Sequence, residues 1–469
     1  MQDSHHQIVL IKRFVLTLFT LFSAFSMVLA DEVAEAGLPI LNIITVNAEE
    51  PTCDYVFAPE GEFGISIINN QKVPGRVVLT ENGGTLYDSG EYAKNSSGMT
   101  IRIRGNTSAY YSSKKPYKIK LEKKNDMLGR NDSCYYDKNW ILIDSGGDEL
   151  NTMIGLKVND MMGLGSWTPA YKFVNLYINN DYRGIYMLVE SIKRNKDCRL
   201  NVDKQTGYII ECDAYWWNED VYFTTDSDRK YTFKYPDEED ITNQQIDYIC
   251  QLMNIVEQSI TNGYYSDYID VNSFAAWILA HDILGTYDSA GANIYLTKFD
   301  NTNTSKITLS TLWDFGSIMK SSDNWARIHT DNFFYFDQLF NNPNNTFNKA
   351  YLDLWNQKSD QLFDEMKQFL HDFSLSPTAV ALAKSRPYEA QRWGYEASTV
   401  NENIQEALIW FTQRKEWMTE HMITTHISDH QLSSADNNMI YNLNGQLVSN
   451  TCKPGIYIQN GKKLIRRLR

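Results

Sequence analysis

The chain has 469 residues, of which 22% are charged and 43% hydrophobic, and its formal net charge is −14. That mixture excludes wholesale disorder, and the acidic balance argues against a nucleic-acid or anionic-membrane partner, since those surfaces select for clustered Lys and Arg. A chain this long buries a sizeable core, as two or three structural units or as one large domain with appendages.

Lys12 and Arg13 precede an apolar run from Phe14 to Leu29, and the small residue Ala30 stands before Asp31 and Glu32. This pattern predicts a cleavable signal peptide over residues 1–30, hence a secreted or cell-surface protein, and no later stretch is apolar enough to span a bilayer. The six cysteines include no CxxC pair and do not support a zinc ribbon; export permits three disulfides, and buried free thiols fit equally.

From Leu38 to Leu121, short alternating runs such as Met99-Thr-Ile-Arg-Ile-Arg104 between Asn- and Gly-rich turns predict an antiparallel sheet. Leu150, Met153, Ile154, Val158 and Met161 then recur at helical spacing behind Asp148, a fair N-cap. Strands follow at Phe173–Ile178 and Gly184–Glu190, joined by Asn179-Asn180-Asp181. Thr242-Asn-Gln-Gln245 is a capping box opening a helix through Ile260, and Asn272 or Ser273 caps another to about Leu284. A hairpin is expected from Ile294–Phe299 and Lys306–Leu312, and a long amphipathic helix from about Glu402 to Met422. A sheet-rich part followed by a helix-rich part is an α+β pattern with a cleft between the two. Beyond Ile427 the composition turns polar, and two hairpin-like strands near 440–446 and 455–462 form a small β tail.

Three constellations carry chemistry. Asp288-Ser-Ala-Gly-Ala-Asn293 lies between a helix and a strand, with the Asp-to-Asn spacing of the protein-kinase catalytic loop. Trp313-Asp-Phe-Gly316 follows the returning strand of the hairpin, where an Asp aims its carboxylate into a cleft as a metal ligand does. Arg102-Ile-Arg104-Gly105-Asn-Thr-Ser108, with Lys114-Lys-Pro-Tyr-Lys-Ile-Lys120 after it, places backbone N–H groups and cations where polyphosphate can sit. His421, His426 and His430 lack an organised ligand spacing and read as surface or capping residues.

Together with Val174-Asn-Leu-Tyr-Ile-Asn-Asn-Asp-Tyr-Arg-Gly-Ile-Tyr-Met-Leu-Val-Glu190, these segments resemble the CotH family of atypical kinases over about Leu38 to Thr425. The resemblance implies a domain at 36–426 with a distant protein-kinase-like two-lobe fold, a sheet-rich first lobe and a helix-rich second lobe. It also implies ATP with Mg2+ and transfer of phosphate to hydroxyls of a secreted or surface protein. By position, Asp288 matches the catalytic Asp, Asn293 and Asp314 the metal side, and Arg104, Lys115 and Lys118 the phosphate-contacting segment. Glu190 stands where the strand pair meets the cleft, with a site role or a structural one.

The sequence departs from the family pattern at three places. Gly316 replaces the last Asp of WDxD, Thr286 stands where Asn is frequent, and Met153-Ile154 replaces an Arg-Asn pair, with Lys157 nearby as a substitute cation. Those departures leave open a non-catalytic surface protein that binds protein or glycan, a reading that the 29 Tyr and 11 Trp also fit. The tail, 427–469, resembles a short type IX secretion sorting segment, or is a plain structural β appendage.

Overall fold

The computed structural model describes residues 32–144, 149–286, 293–319, 334–396 and 398–429, with three short strands between 440 and 466. Ten strands come first: β1 (Ile40–Thr45), β2 (Asp54–Phe57), β3 (Ile65–Ile68), β4 (Val73–Glu81), β5 (Gly84–Asp88), β6 (Met99–Ile103), β7 (Tyr117–Asn125), β8 (Asp137–Ile143), β9 (Tyr171–Ile178) and β10 (Asp181–Glu190). The expected antiparallel sheet is present, but it closes on itself. Its order is β1-β9-β10-β8-β7-β6-β4, and β4 pairs back to β1, so seven strands form a barrel in which only β1–β9 is parallel. Leu41, Ile43, Val77, Leu79, Ile101, Ile119, Trp140, Leu142, Leu176 and Leu188 fill the interior as one cluster. Closure brings β1 and β4 so close that a Cβ on Gly75 would lie 2.6 Å from the Ile44 carbonyl oxygen.

Asn179 and Asn180 both have positive φ, 52° and 65°, the conformation that a two-residue hairpin needs and that Asn adopts more readily than most residues. β9 and β10 are buried on both faces: one lines the barrel, and on the other Phe173, Ile185, Met187 and Val189 pack against the helical core.

That core surrounds a second, antiparallel sheet of order β12-β13-β11-β14-β15: β11 (Tyr208–Cys212), β12 (Tyr222–Thr224), β13 (Lys230–Tyr235), β14 (Ile294–Lys298) and β15 (Ile307–Leu309). The first three strands were absent from the sequence reading, and β15 is shorter than expected because residues 310–314 run on without a ladder partner in the sheet. The described helices that follow β6 are α1 (Thr107–Tyr111), α2 (Glu149–Met162), α3 (Asn243–Asn262), α4 (Val271–Leu284), α5 (Phe336–Phe340), α6 (Thr346–Ser374), α7 (Pro377–Trp393) and α8 (Val400–Asp429). Every residue of α4 from Phe274 to Leu284 is buried, as befits a helix apolar on all sides at the centre of a helical body. The Thr242 capping box opens α3 as expected. The cap of α4 is Asp270, not Asn272 or Ser273: its carboxylate accepts from Ser273 N, and its own N–H is fixed on the Ile307 carbonyl.

The tail has three strands rather than two, β16 (Ile440–Asn442), β17 (Gly455–Gln459) and β18 (Lys462–Arg466). Cys53, Cys134, Cys198, Cys212 and Cys250 are free thiols. The signal segment 1–30, Asp148 and His430 lie outside the described residues, and no described helix is long and apolar enough to cross a membrane.

Barrel and helices are fastened by a buried cation. Lys114 Nζ lies 2.8 Å from Glu389 Oε1 on α7 and 3.0 Å from Asp144 Oδ1, and donates to the Ile185 carbonyl. Glu389 Oε2 accepts the Ile185 N–H. Lys114→Ala removes the ammonium that faces two buried carboxylates, so urea unfolding should show a loss of about 3–5 kcal/mol.

Candidate functional site

Barrel alternation sets the cationic wall. Met99, Ile101 and Ile103 on β6, and Tyr117, Ile119 and Leu121 on β7, point inward, so Arg102 and Lys118 must point out. The two are direct cross-strand partners, a like-charge pairing that is unfavourable unless an anion lies between them. Arg104 follows on the same face. Burial, reinforced by Arg102, Arg104, Lys193 and Lys234, pushes the Lys118 ammonium down to about 7. Burial lowers Arg104 as well, against the pull of Tyr295, Asp314 and Glu211. Arg102, Arg104, Lys118 and, from the second sheet, Lys234 line one cavity of about 450 Å³.

The acidic side stands next to Arg104. Trp313 is buried with the Arg104 guanidinium 6.0 Å from its ring centroid, Asp314 is exposed, and Phe315 is buried again. Asn293 Nδ2 donates to Asp314 Oδ2 over 3.3 Å, which brings together two residues 21 positions apart. Both have left-handed backbone, φ 65° at Asn293 and 67° at Asp314. Such conformations persist only where the surroundings over-determine them. At Asn293 the surroundings include Glu211, whose Oε1 accepts the Asn293 N–H over 3.0 Å while its Oε2 lies 2.8 Å from Lys234 Nζ. Phe315 is held by α2: a Cβ on Gly155 would sit 2.0 Å from its ring, so only glycine allows this contact.

A carboxylate and an amide beside four cations suit a divalent ion shared with polyphosphate, because Mg2+ is held by one or two protein oxygens and takes the rest from phosphates and water. No group of three or more His, Cys, Asp or Glu that could hold a metal by itself occurs among the described residues.

The family model of the CotH kinase protein matches residues 101–418, more than half of the chain. The chain belongs to the CotH kinase family. No curated protein matches it. Among solved structures it is similar to the Helicobacter pylori proinflammatory kinase CtkA, with 11% identity, 82% of this chain and 98% of that one covered, and a TM-score of 0.30. A likeness at that level carries no argument about this chain.

Two residues expected at the CotH site lie elsewhere. Lys115 Nζ donates to the carbonyls of Ala109 and Ser112, at 2.5 and 2.6 Å, and so caps the last turn of α1 instead of facing the cavity. Glu190 is 1% exposed and accepts from Arg130, the Trp167 indole and the Ala170 N–H, a structural carboxylate at the end of β10. Lys157 pairs with Asp160 and does not line the cavity, so it replaces no phosphate contact. Met153 and Ile154 are core residues, and buried Thr286 bonds His281, whose own pKa burial lowers to about 3. Asp288 lies outside the described residues.

Glu211 and Lys234 escaped the sequence reading along with the strands that carry them. The signals were present: Tyr208-Ile-Ile-Glu-Cys212 is an apolar strand run holding one charge, and Lys230-Tyr-Thr-Phe-Lys-Tyr235 alternates with period two.

Two outcomes follow. Gly155→Ala should lower stability by about 1–3 kcal/mol in urea unfolding as Phe315 is forced off α2, and the double variant with Phe315→Leu should regain part of it. For Lys118, the unfolded chain keeps a proton between pH 7 and 10.5 that the folded chain releases, so stability contributed by this group rises with pH across that window. Relative to Lys118→Met, the native chain should therefore gain stability as pH goes from 7 to 10.

Proposed function

We propose that this CotH family member is an exported protein kinase that moves the γ-phosphate of ATP, with Mg2+, onto a Ser, Thr or Tyr hydroxyl of a secreted or surface protein. The observation that carries the reading is one cleft in which Arg102, Arg104, Lys118 and Lys234 converge beside the Asn293–Asp314 pair. In this reading the barrel and the helical body are the two lobes of a distant kinase-like fold. Arg102, Arg104 and Lys118 would hold phosphate oxygens, and Asp314 with Asn293 would hold the ion. Mg2+, when bound, supplies neutralisation of charge on the phosphates. Asp288, five positions before Asn293, accepts the proton of the attacking hydroxyl as its oxygen bonds to the γ-phosphorus and the bond to the β-γ bridging oxygen breaks. Export rests on the leader at 1–30, and the tail beyond 427 serves it as a sorting segment.

A second reading, a non-catalytic module that binds protein or glycan, is favoured by exposed aromatic rings. Phe57, Phe63, Tyr110, Tyr111 and Tyr222 are 63%, 66%, 39%, 73% and 42% exposed.

One set of measurements separates the two. Exported protein, beginning at Asp31 by N-terminal sequencing, should be stabilised against heat by ATP only with Mg2+ and should label itself or a secreted partner with γ-phosphate. Asp314→Ala should lose the Mg2+-dependent part of the shift, and Asp288→Ala should keep the shift and lose the labelling. A native chain that neither shifts nor labels would leave the binding module as the function.

A further inference from the structure

The Asn293–Asp314 pair raises a question about what holds Asn293. It is the first described residue after residues 287–292, its φ of 65° is unfavourable for an L-residue, and its side chain must reach Asp314. We infer that Glu211, with Lys234 as its counter-cation, is the positioning residue that sets Asn293 for the metal side of the site. The inference rests on the phosphotransfer reading for its function and on geometry alone for its structure.

Glu211 is 5% exposed, and burial pushes its carboxyl up. A buried carboxylate is tolerated when it is paired and hydrogen-bonded, and here each oxygen has one donor. One is the Asn293 N–H at 3.0 Å. The second is Lys234 Nζ at 2.8 Å. Tyr295 sits directly across the ladder on β14 and covers the pair. Lys234 reaches this position through an irregularity in the ladder: Ile209 pairs with Tyr235 and Ile210 with Phe233, which leaves Lys234 as the extra residue of a bulge. Bulges of this kind re-aim side chains. Burial opposes the charge of Lys234, but Glu211, Asp213 and Glu219 outweigh it and hold its pKa above the usual lysine range.

The charge arithmetic explains why the anchor is an ion pair. A lone carboxylate beside Asp314 would repel it and compete for any cation. A lone lysine would add to the crowding of Arg102, Arg104 and Lys118. Paired, Glu211 and Lys234 bring no net charge, yet the carboxylate grips the Asn293 N–H more strongly than a neutral acceptor would. Glu211 acts through Asn293: one of its oxygens holds the Asn293 N–H and the other is paired with Lys234.

The test uses the full exported chain and reads two quantities. The first is hydrogen exchange of the Asn293 amide without ligand. The second is the Mg2+ concentration giving half of the thermal shift in the presence of a non-hydrolysable ATP analogue. In Glu211→Ala, exchange at Asn293 should quicken by about tenfold or more while the β9 and β10 amides stay as in the native chain, and the Mg2+ requirement should rise by about tenfold, the usual effect of losing a residue that orients a metal ligand. The double variant E211Q/K234M keeps an acceptor for the Asn293 N–H and removes the orphaned ammonium, so it should restore slow exchange at Asn293. Unchanged exchange at Asn293 in Glu211→Ala, or an equal rise over the whole barrel, would overturn the inference. A native chain without any Mg2+ response sinks the kinase reading instead, and the exchange measurement still decides whether Glu211 positions Asn293.

Discussion

Barrel closure is the constraint on which the site depends. Seven strands paired into a ring have one inside, and it is filled by Ile101, Ile119, Trp140, Leu176 and their neighbours. Alternation then leaves no freedom for Arg102 and Lys118: with Ile101, Ile103, Tyr117 and Ile119 inward, both cations face out, side by side on one ladder rung. In an open sheet that rung would relax by fraying. In a closed barrel the rung is fixed at the cleft wall, and burial first, with the neighbouring cations second, depresses the proton affinity of Lys118 there.

The opposite wall is set by close packing. Trp313, Asp314 and Phe315 alternate buried, exposed and buried, so the two rings anchor the segment and leave the carboxylate between them exposed beside Arg104 and Asn293. Phe315 needs the bare backbone of Gly155 on α2, and the Asn293 backbone is pinned by Glu211. Rigid elements on three sides therefore fix two residues with left-handed backbone, an arrangement suited to a site whose geometry is set before any ligand arrives.

Much of the local structure was legible. The Thr242 capping box and the Asn179-Asn180 turn are short-range devices whose donors, acceptors and φ preferences lie within a few residues of each other. The order of α4, the β14–β15 hairpin and Asp314 was legible too, whereas β11, β12 and β13 were not. Caps already became ambiguous where a distant partner took part, as at Asp270, whose N–H is held by Ile307.

The lysines of Lys114-Lys-Pro-Tyr-Lys-Ile-Lys120 show where reading from the chain stops. By sequence, Lys114, Lys115 and Lys118 are one basic segment. In the fold Lys114 is buried on Glu389, 275 positions away, Lys115 caps α1, and Lys118 faces the cavity. Strand alternation decided the last of these, and the sequence carries that by itself, together with membership of the family, the Thr242 capping box and the Asn179-Asn180 turn. Tertiary structure alone decided the barrel closure, the burial of Glu190 and the Glu211–Lys234 anchor. Those depend on pairings between segments far apart in the chain, and a charged residue looks the same in sequence whether water, a carboxylate or a backbone carbonyl will face it.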